Sequence, residues 1–323
     1  MRIGGLLVGV GVLVLVALAS LAVGAKAIPP ATVWHELLRY DGSADGVVIR
    51  SLRVPRTLLG LAVGAALGLA GALMQALTRN PLADPGILGV NAGAAAASVA
   101  AIGLLGVADP AGYLWFALAG AAIATVLVSA LGRSSPARLV LAGAAVSAAL
   151  GSFVAGLTLV SQNAFDAYRF WAVGTLAGRP LSVLAATGPV LLLGAVLAIA
   201  LGRPLNVLAL GEDTGHALGA RPGRTRVLGI VAVTLLCGAA TAAVGPIGFV
   251  GLAVPHIARL VAGPDQRWLL PYSAVLAAIL LLGADILGRV LARPGELQVG
   301  IVTAFLGAPI LIMLAHRRRL AVR

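Results

Sequence analysis

An all-α polytopic membrane fold is what this 323-residue sequence predicts, and three observations carry the prediction. The chain is 60% hydrophobic and only 11% charged, with a mean hydropathy of +1.04. Runs of about 18 or more apolar residues recur along it, and a helix needs about 20 to cross the hydrocarbon core. Backbone groups in lipid must bond internally, which for runs of this length favours helices over a barrel.

Ten spans are expected, at about 3–25, 56–77, 86–107, 113–131, 138–160, 182–201, 227–243, 247–262, 271–291 and 298–315. The first follows Arg2 and could be read as a secretory leader, but its apolar run exceeds the about 7–15 residues of such a segment. The second carries Gly60, Gly64 and Gly68 at a spacing of four, with Gly71 close by. Such a stripe lets helix backbones approach closely and is read as packing. The eighth, 247–262, is the shortest. Residues 1–323 thus form one transmembrane domain, interrupted by a polar gap at 202–226.

An even number of spans puts both termini on one side. Of 23 basic residues, 14 fall on that side: Arg2, Arg79, Arg133, Arg138, Arg203, Arg221, Arg224, Arg226, Arg259, Arg267, Arg317, Arg318, Arg319 and Arg323. The other nine are Lys26, Arg39, Arg50, Arg53, Arg56, Arg169, Arg179, Arg289 and Arg293. Positive charge is retained on the cytoplasmic side, so both termini are expected there. The net charge of +12 is explained by these short gaps rather than by a nucleic-acid partner.

Several chemistries are excluded. Cys237 is the only cysteine, which rules out an intrachain disulfide and any cysteine metal centre. No resident metal or cofactor is expected. The one lysine, Lys26, lies in VGAKAIPP, which is no phosphate-binding loop, so this chain is not expected to hydrolyse ATP itself. The acid deepest in a span is Asp285. Its spacing to Arg289 suits an i,i+4 ion pair better than a proton relay. His256, alone in VPHIAR, reads as a packed or interfacial histidine.

Four polar islands remain. Residues 77–93, LTRNPLADPGILGVNAG, place Asn80, Pro81 and Pro85 between two spans, and broken helix at membrane depth is tolerated where it lines a water-filled path. Within 202–226, GEDTGHALG suits a short helix, with Glu212 and Asp213 in its first turn and Gly219 as its stop. From pattern alone, a docking knob for a cytoplasmic motor and an ordinary loop fit equally. Arg50, Arg53 and Arg56 cluster outside, against the topological preference. FDAYRFW at 165–171 holds four aromatics, which suits an interfacial belt.

Four stretches resemble the iron-chelate and cobalamin permease family of ABC importers. They are RVPRTLLGLAVGAALGLAGALMQALTRNPLADPGILGVNAG at 53–93, LALGEDTGHALGA at 208–220, VGPIGFVGLAVPHIARL at 244–260 and GELQVGIVTAFLGAPILI at 295–312. They occur in the family's order, nearly end to end. LTRNPLADPG, RFWAVGTL and the LGEDT…ALG loop look most like ferric-enterobactin permease subunits. The resemblance implies ten helices per subunit, two subunits per pore, two cytoplasmic ATPases that use ATP and magnesium, and an extracytoplasmic binding protein. Its closest likeness favours a pore of two different permeases over a homodimer. It implies a multi-pass chain of the bacterial inner or plasma membrane that imports an iron–siderophore, with haem or cobalamin as the alternative cargo and an ion-coupled secondary transporter as the rival class.

The resemblance also assigns roles. Asn80, Pro81 and Leu82 would form a cytoplasmic gate, with the Ser134–Ser135 turn as its companion; two plain helix-ending turns are the competing reading. Gly211, Glu212, Asp213, Ala217, Leu218 and Gly219 would couple to the ATPase. Arg53, Arg56 and Arg289, with Arg293 as an addition, would dock acidic side chains of the binding protein; headgroup contact is the competing reading. The aromatic stretch 165–171 would be a short external helix at the cavity mouth.

Overall fold

The computed structural model describes residues 2–24, 26–107, 109–132, 135–211, 217 and 221–321, and all its elements are helical. In chain order they are α1 (Arg2–Ala22), α2 (Pro30–Leu38), α3 (Ala44–Val47) running through a π-helical turn (Val48–Arg53) into α4 (Val54–Thr78), a 3-10 turn (Pro85–Leu88), α5 (Val90–Leu105), α6 (Pro110–Leu131) and α7 (Pro136–Val160). There follow α8 (Gln162–Trp171), α9 (Leu181–Ala200), α10 (Gly202–Ala209), α11 (Pro222–Val244), α12 (Val250–Ala262), α13 (Gln266–Leu291) and α14 (Val299–Ala321). Among the described residues, seven helices are long and apolar enough to cross a membrane, and α5, α12 and residues 299–310 of α14 form three shorter apolar ones.

Prolines mark where helices begin. Pro30, Pro55, Pro110, Pro136 and Pro222 lie in first turns, where a missing N–H costs nothing. Side chains supply further N-caps: Ser43 Oγ accepts Gly46 N–H at 3.0 Å, Ser135 Oγ accepts Arg138 N–H at 3.2 Å and Ser161 Oγ accepts Ala164 N–H at 3.3 Å.

Each expected span holds a helix, and two of them are cut short. The third begins as the 3-10 turn and becomes α5 only after Gly89, whose φ of 74° breaks the ladder. The eighth starts at Val250, because Phe249 adopts a left-handed φ of 67°. The gap 202–226 opens with α10, whose Leu205 and Leu208 are buried, a helix that the sequence reading left as polar linker. The aromatic stretch 165–171 falls on α8, which starts three residues earlier.

The core is built around α4, with α13, α11, α12 and α9 packed on it. The glycine stripe sets those approaches. A Cβ on Gly64 would lie 2.6 Å from Ala278 Cα. One on Gly68 would strike Ser273 O, and one on Gly71 would strike the backbone of Gly251 in α12. Gly93 and Gly120 give α5 and α6 the same close approach. With little hydrophobic drive between helices in lipid, such contact supplies the dispersion that holds them together. By contrast α1 is mostly exposed and touches α13 through Gly5 and Gly9.

Side-chain contacts tie the elements together at each end of the bundle. At one end, Tyr272 donates to Arg2 O at 2.7 Å, Asn206 to Asp265 at 2.6 Å and Arg79 to Leu208 O at 2.6 Å. At the other, Lys26 pairs with Asp45 at 2.5 Å and Arg56 with Asp285 and Glu296. These two groups match the two sides into which the arginines sort; the first is called the inner end below, the second the outer end.

A Gly71→Ala substitution should lower the thermal midpoint in detergent, at an overpacking cost of about 1–3 kcal/mol. Gly283→Ala in α13, where a Cβ meets nothing within 4 Å, should leave it unchanged. Equal midpoints for the two variants would remove the α4–α12 contact from this account.

Candidate functional site

At the outer end, α1 stops inside the protein, and the last four carbonyls of any helix lack partners within it. Here three arginines from elsewhere in the chain supply donors. Two backbone closures are made among the described residues: Ala19 O accepts Val23 N–H at 2.8 Å and Ala22 O accepts Ile28 N–H at 3.1 Å. Arg53 Nη1 donates to Leu21 O at 2.7 Å and Ala22 O at 2.8 Å, and its Nη2 donates to Lys26 O. Arg289 Nη1 donates to Ser20 O and Val23 O, each at 2.9 Å. Arg293 Nη2 reaches Gly24 O at 2.7 Å. Positive charge at a helix C-terminus is favourable on its own account.

The second layer is ionic. Asp285 of α13 is fully buried and receives Arg56 of α4 side-on, Nη2 at 2.8 Å and Nε at 3.0 and 3.1 Å. Its own-helix partner Arg289 sits 3.0 Å away and also donates to Ser20 Oγ at 2.8 Å. Arg56 Nη1 then reaches outward to Glu296 at 2.6 Å. The i,i+4 pair was legible from spacing, whereas Arg56, 229 residues earlier, was not. Removing a charge from water costs several kcal/mol, so a buried carboxylate persists only when matched this closely. Both guanidinium groups are thus engaged by the one Asp285 carboxylate.

The expected docking arginines therefore separate. Arg53 and Arg289 are 6% and 2% exposed, and their donors are turned to the α1 carbonyls, because that helix end needs them. In this conformation they are not free rim charges. Arg50 is exposed, with its guanidinium on Glu36 O at 2.9 Å, Leu37 O at 3.0 Å and the Tyr40 ring at 4.9 Å. Arg293 is exposed, and Arg56 keeps 11% of its side chain open.

Nearby, His35, Glu36 and Asp41 bring one ligand atom each within 4.8 Å of one another. Ser43 occupies this group, donating its Oγ to Glu36 at 3.0 Å and its N–H to Asp41 at 2.7 Å. The Ser43 backbone N–H foremost, and then its hydroxyl, hold the Asp41 carboxyl below its ordinary pKa.

At the inner end, Arg79 ends α4 in a left-handed conformation, φ 50°. Asn80 then folds the chain back: its Oδ1 accepts Leu82 N–H at 3.0 Å and its carbonyl accepts Ala83 N–H at 3.1 Å. This Asx turn leaves Asn80 and Leu82 exposed, Leu82 by 42%. Pro81 is half-buried. Asp84 accepts Gly86 N–H at 2.7 Å, and burial pushes its carboxyl up. The 3-10 turn beyond lies against α7, where Gly143 makes room for Ile87 O. Ser135 caps α7; Ser134 lies outside the described residues.

The coupling segment begins at Gly211, with φ 111°, and includes Ala217, which is exposed. Glu212, Asp213, Leu218 and Gly219 lie outside the described residues. The α10 helix that leads to it is anchored to the next loop. Asn206 donates to Asp265, accepts Gln266 N–H at 2.8 Å, and Arg267 chelates Asp265. Arg267 and then Asn206 hold the Asp265 carboxyl well below the usual carboxylate range.

Asp285→Asn leaves the buried Arg289 without a counter-ion and Arg56 with Glu296 alone, and should cost about 3–5 kcal/mol. Glu296→Gln removes a partner that is one-third exposed and should cost no more than about 1 kcal/mol. Thermal melts of both variants in one detergent check this, and equal losses would contradict the division between an inner and an outer carboxylate.

Comparison with known proteins bears on what these features serve. Residues 12–317 match the FecCD transport family. The chain is 48% identical to the Escherichia coli ferric enterobactin transport system permease protein FepD, over 96% of this chain and 94% of that one. It is 41% identical to the Bacillus subtilis probable siderophore transport system permease protein YfiZ, covering 88% and 87%. It is 37% identical to the Yersinia pestis hemin transport system permease protein HmuU, covering 95% and 93%. A metal-chelate type ABC transporter solved in an inward-facing conformation superimposes with a TM-score of 0.87, at 29% identity, covering 97% of this chain and 98% of that one. An all-helical membrane chain with this likeness across almost its whole length belongs to the FecCD transport family, a family of ABC importer permeases.

Proposed function

We propose that this chain is the permease subunit of a bacterial ABC importer for an iron–siderophore complex. The observation that carries the proposal is the near end-to-end likeness to FepD, supported by the likeness to YfiZ. The metal is cargo, enclosed by its chelator, so the permease needs a wide and weakly interacting path instead of metal ligands. Haem or cobalamin is the second reading, favoured by the likeness to HmuU and to a Halobacterium salinarum cobalamin import permease at 41% identity.

In this reading ten spans place both termini in the cytoplasm, and a second, different permease completes the pore. Two copies of a cytoplasmic ATPase engage Gly211, Glu212, Asp213, Ala217, Leu218 and Gly219. Asn80, Pro81 and Leu82, with Ser134 and Ser135, line the cytoplasmic gate; the exposed Leu82 on its tight turn supports that role. Arg56 and Arg293 present charge to acidic side chains of an extracytoplasmic binding protein, and Arg53 and Arg289 hold the surface in place beneath them.

Affinity purification of the tagged chain, with partners identified by mass, should recover an ATPase that has a phosphate-binding loop and a second permease. Replacing Glu212 and Leu218 together should leave that ATPase bound while uptake falls at least about tenfold, because the two cycles no longer coincide. Uptake that survives ATP depletion and collapses with the proton gradient would overturn the proposal in favour of a secondary transporter.

For the gate, cysteines at Leu82 and at the matching position of the second permease should crosslink in one nucleotide state more than in another. The same yield in every state would place Leu82 away from a moving constriction.

A further inference from the structure

The guanidinium of Arg56 faces two carboxylates that differ in kind. Asp285 takes Nε and Nη2, is fully buried, and is also held by Arg289. Glu296 takes Nη1 alone, at 2.6 Å, from a side chain that is 34% exposed. The inner carboxylate is fixed by burial and by two cations. Among the described residues the outer one has a single ion-pair partner, and a third of its side chain is open. With Glu296 in place, Arg56, Arg289, Asp285 and Glu296 sum to zero, so this group of four offers no net charge outward.

We propose that Glu296 is an internal stand-in for the acidic side chain of the binding protein, occupying the outer nitrogen of Arg56 until docking exchanges one carboxylate for the other. The inference rests on the docking reading above. It explains why Arg56 is neither buried like Arg53 and Arg289 nor free: its outer edge keeps a ligand of the same chemistry as the partner's. Such an occupant lowers non-specific attraction of anions to the rim and gives up its place to a carboxylate held in the right geometry by a whole docked surface.

Backbone geometry makes the exchange a side-chain event. The chain just after Glu296 is pinned, by Leu297 N–H on Gly288 O at 3.0 Å and by Gly300 N–H on Gly174 O at 3.2 Å. Neither Gly288 nor Gly300 has room for a Cβ, since Leu297 O and Val173 O lie against them. Glu296 can therefore rotate away without unfolding its loop. When it does, α4 loses its ionic tie to the connection between α13 and α14, so docking would loosen one helix against another at the outer mouth.

The test is association of the purified extracytoplasmic binding protein that accompanies the complex, measured on the full transporter in nanodiscs across a salt series. Glu296→Gln should raise the association rate about 1.4- to fivefold, the range an exposed pair spans. It should also steepen the salt dependence, because one positive charge is unmasked. Arg56→Gln should slow association, and in that background Glu296→Gln should have no further effect. Asp41→Asn, which neutralises another exposed acid at the same end, should change the rate less than Glu296→Gln does. If Arg56→Gln slows docking while Glu296→Gln leaves it unchanged or slower, the stand-in is overturned and the docking reading survives. If Asp41→Asn and Glu296→Gln act equally, or Glu296→Gln accelerates docking without Arg56, only the general field is at work and the stand-in is likewise overturned. If neither Arg56 nor Glu296 matters, the docking reading itself fails.

Discussion

The pairing of Asp285 with Arg56 and Arg289 is the constraint on which the outer end depends. A carboxylate with no exposed surface cannot stay ionised without partners, and two guanidinium groups at that depth cannot stay without a carboxylate. Meeting that condition fixes α4 against α13 through Arg56 and orients Arg289 toward Ser20 and the end of α1. Once Arg289 is held, its remaining donors, with those of Arg53, cap carbonyls that would otherwise lie in a dry setting with no hydrogen bond. The outer end of α1 is thus held by a side chain on α13, as Tyr272 of the same helix holds its start at Arg2 O.

The same helix that carries Arg56 ends at Arg79 and Asn80 on the opposite side of the bundle. Between those ends α4 is the most enclosed span, held by glycine contacts that leave no slack. Close packing of this kind transmits displacement as a body and does not deform smoothly. The breaks lie elsewhere, in the left-handed residues Arg79, Gly89 and Phe249 and the turns around them. Rigid, closely packed helices are thus joined by short irregular turns.

Much of this was legible in the sequence, and the failures have physical causes. Long apolar runs fixed the helices because hydrocarbon permits little else, and the glycine stripe on α4 read as packing for the same reason. Helix boundaries at Gly89 and Phe249 slipped, since hydropathy does not register a single residue of positive φ. The short helices α2, α3 and α10 were missed because each buries only a few side chains, Val33 and Glu36 in α2 and Leu205 and Leu208 in α10. Arg53, Arg56 and Arg289 stood out by charge in the wrong place. Spacing along a chain, however, cannot tell a guanidinium that meets a partner from one that caps a helix 31 residues away, as Arg53 caps α1 at Ala22. The contact from Arg56 to Asp285 joins the second span to the ninth and leaves no local signature.

The most direct measurement of the central claim is a double-mutant cycle on thermal or denaturant stability, combining Arg56→Met with Asp285→Asn in the detergent-solubilised chain. If this pair organises the outer end, each single change is costly, and the double variant is more stable than their sum predicts by at least about 1 kcal/mol, within the range of coupled charges in contact. Additivity within about 0.5 kcal/mol would mean that Arg56 and Asp285 are independent, and the account of the outer end would be wrong.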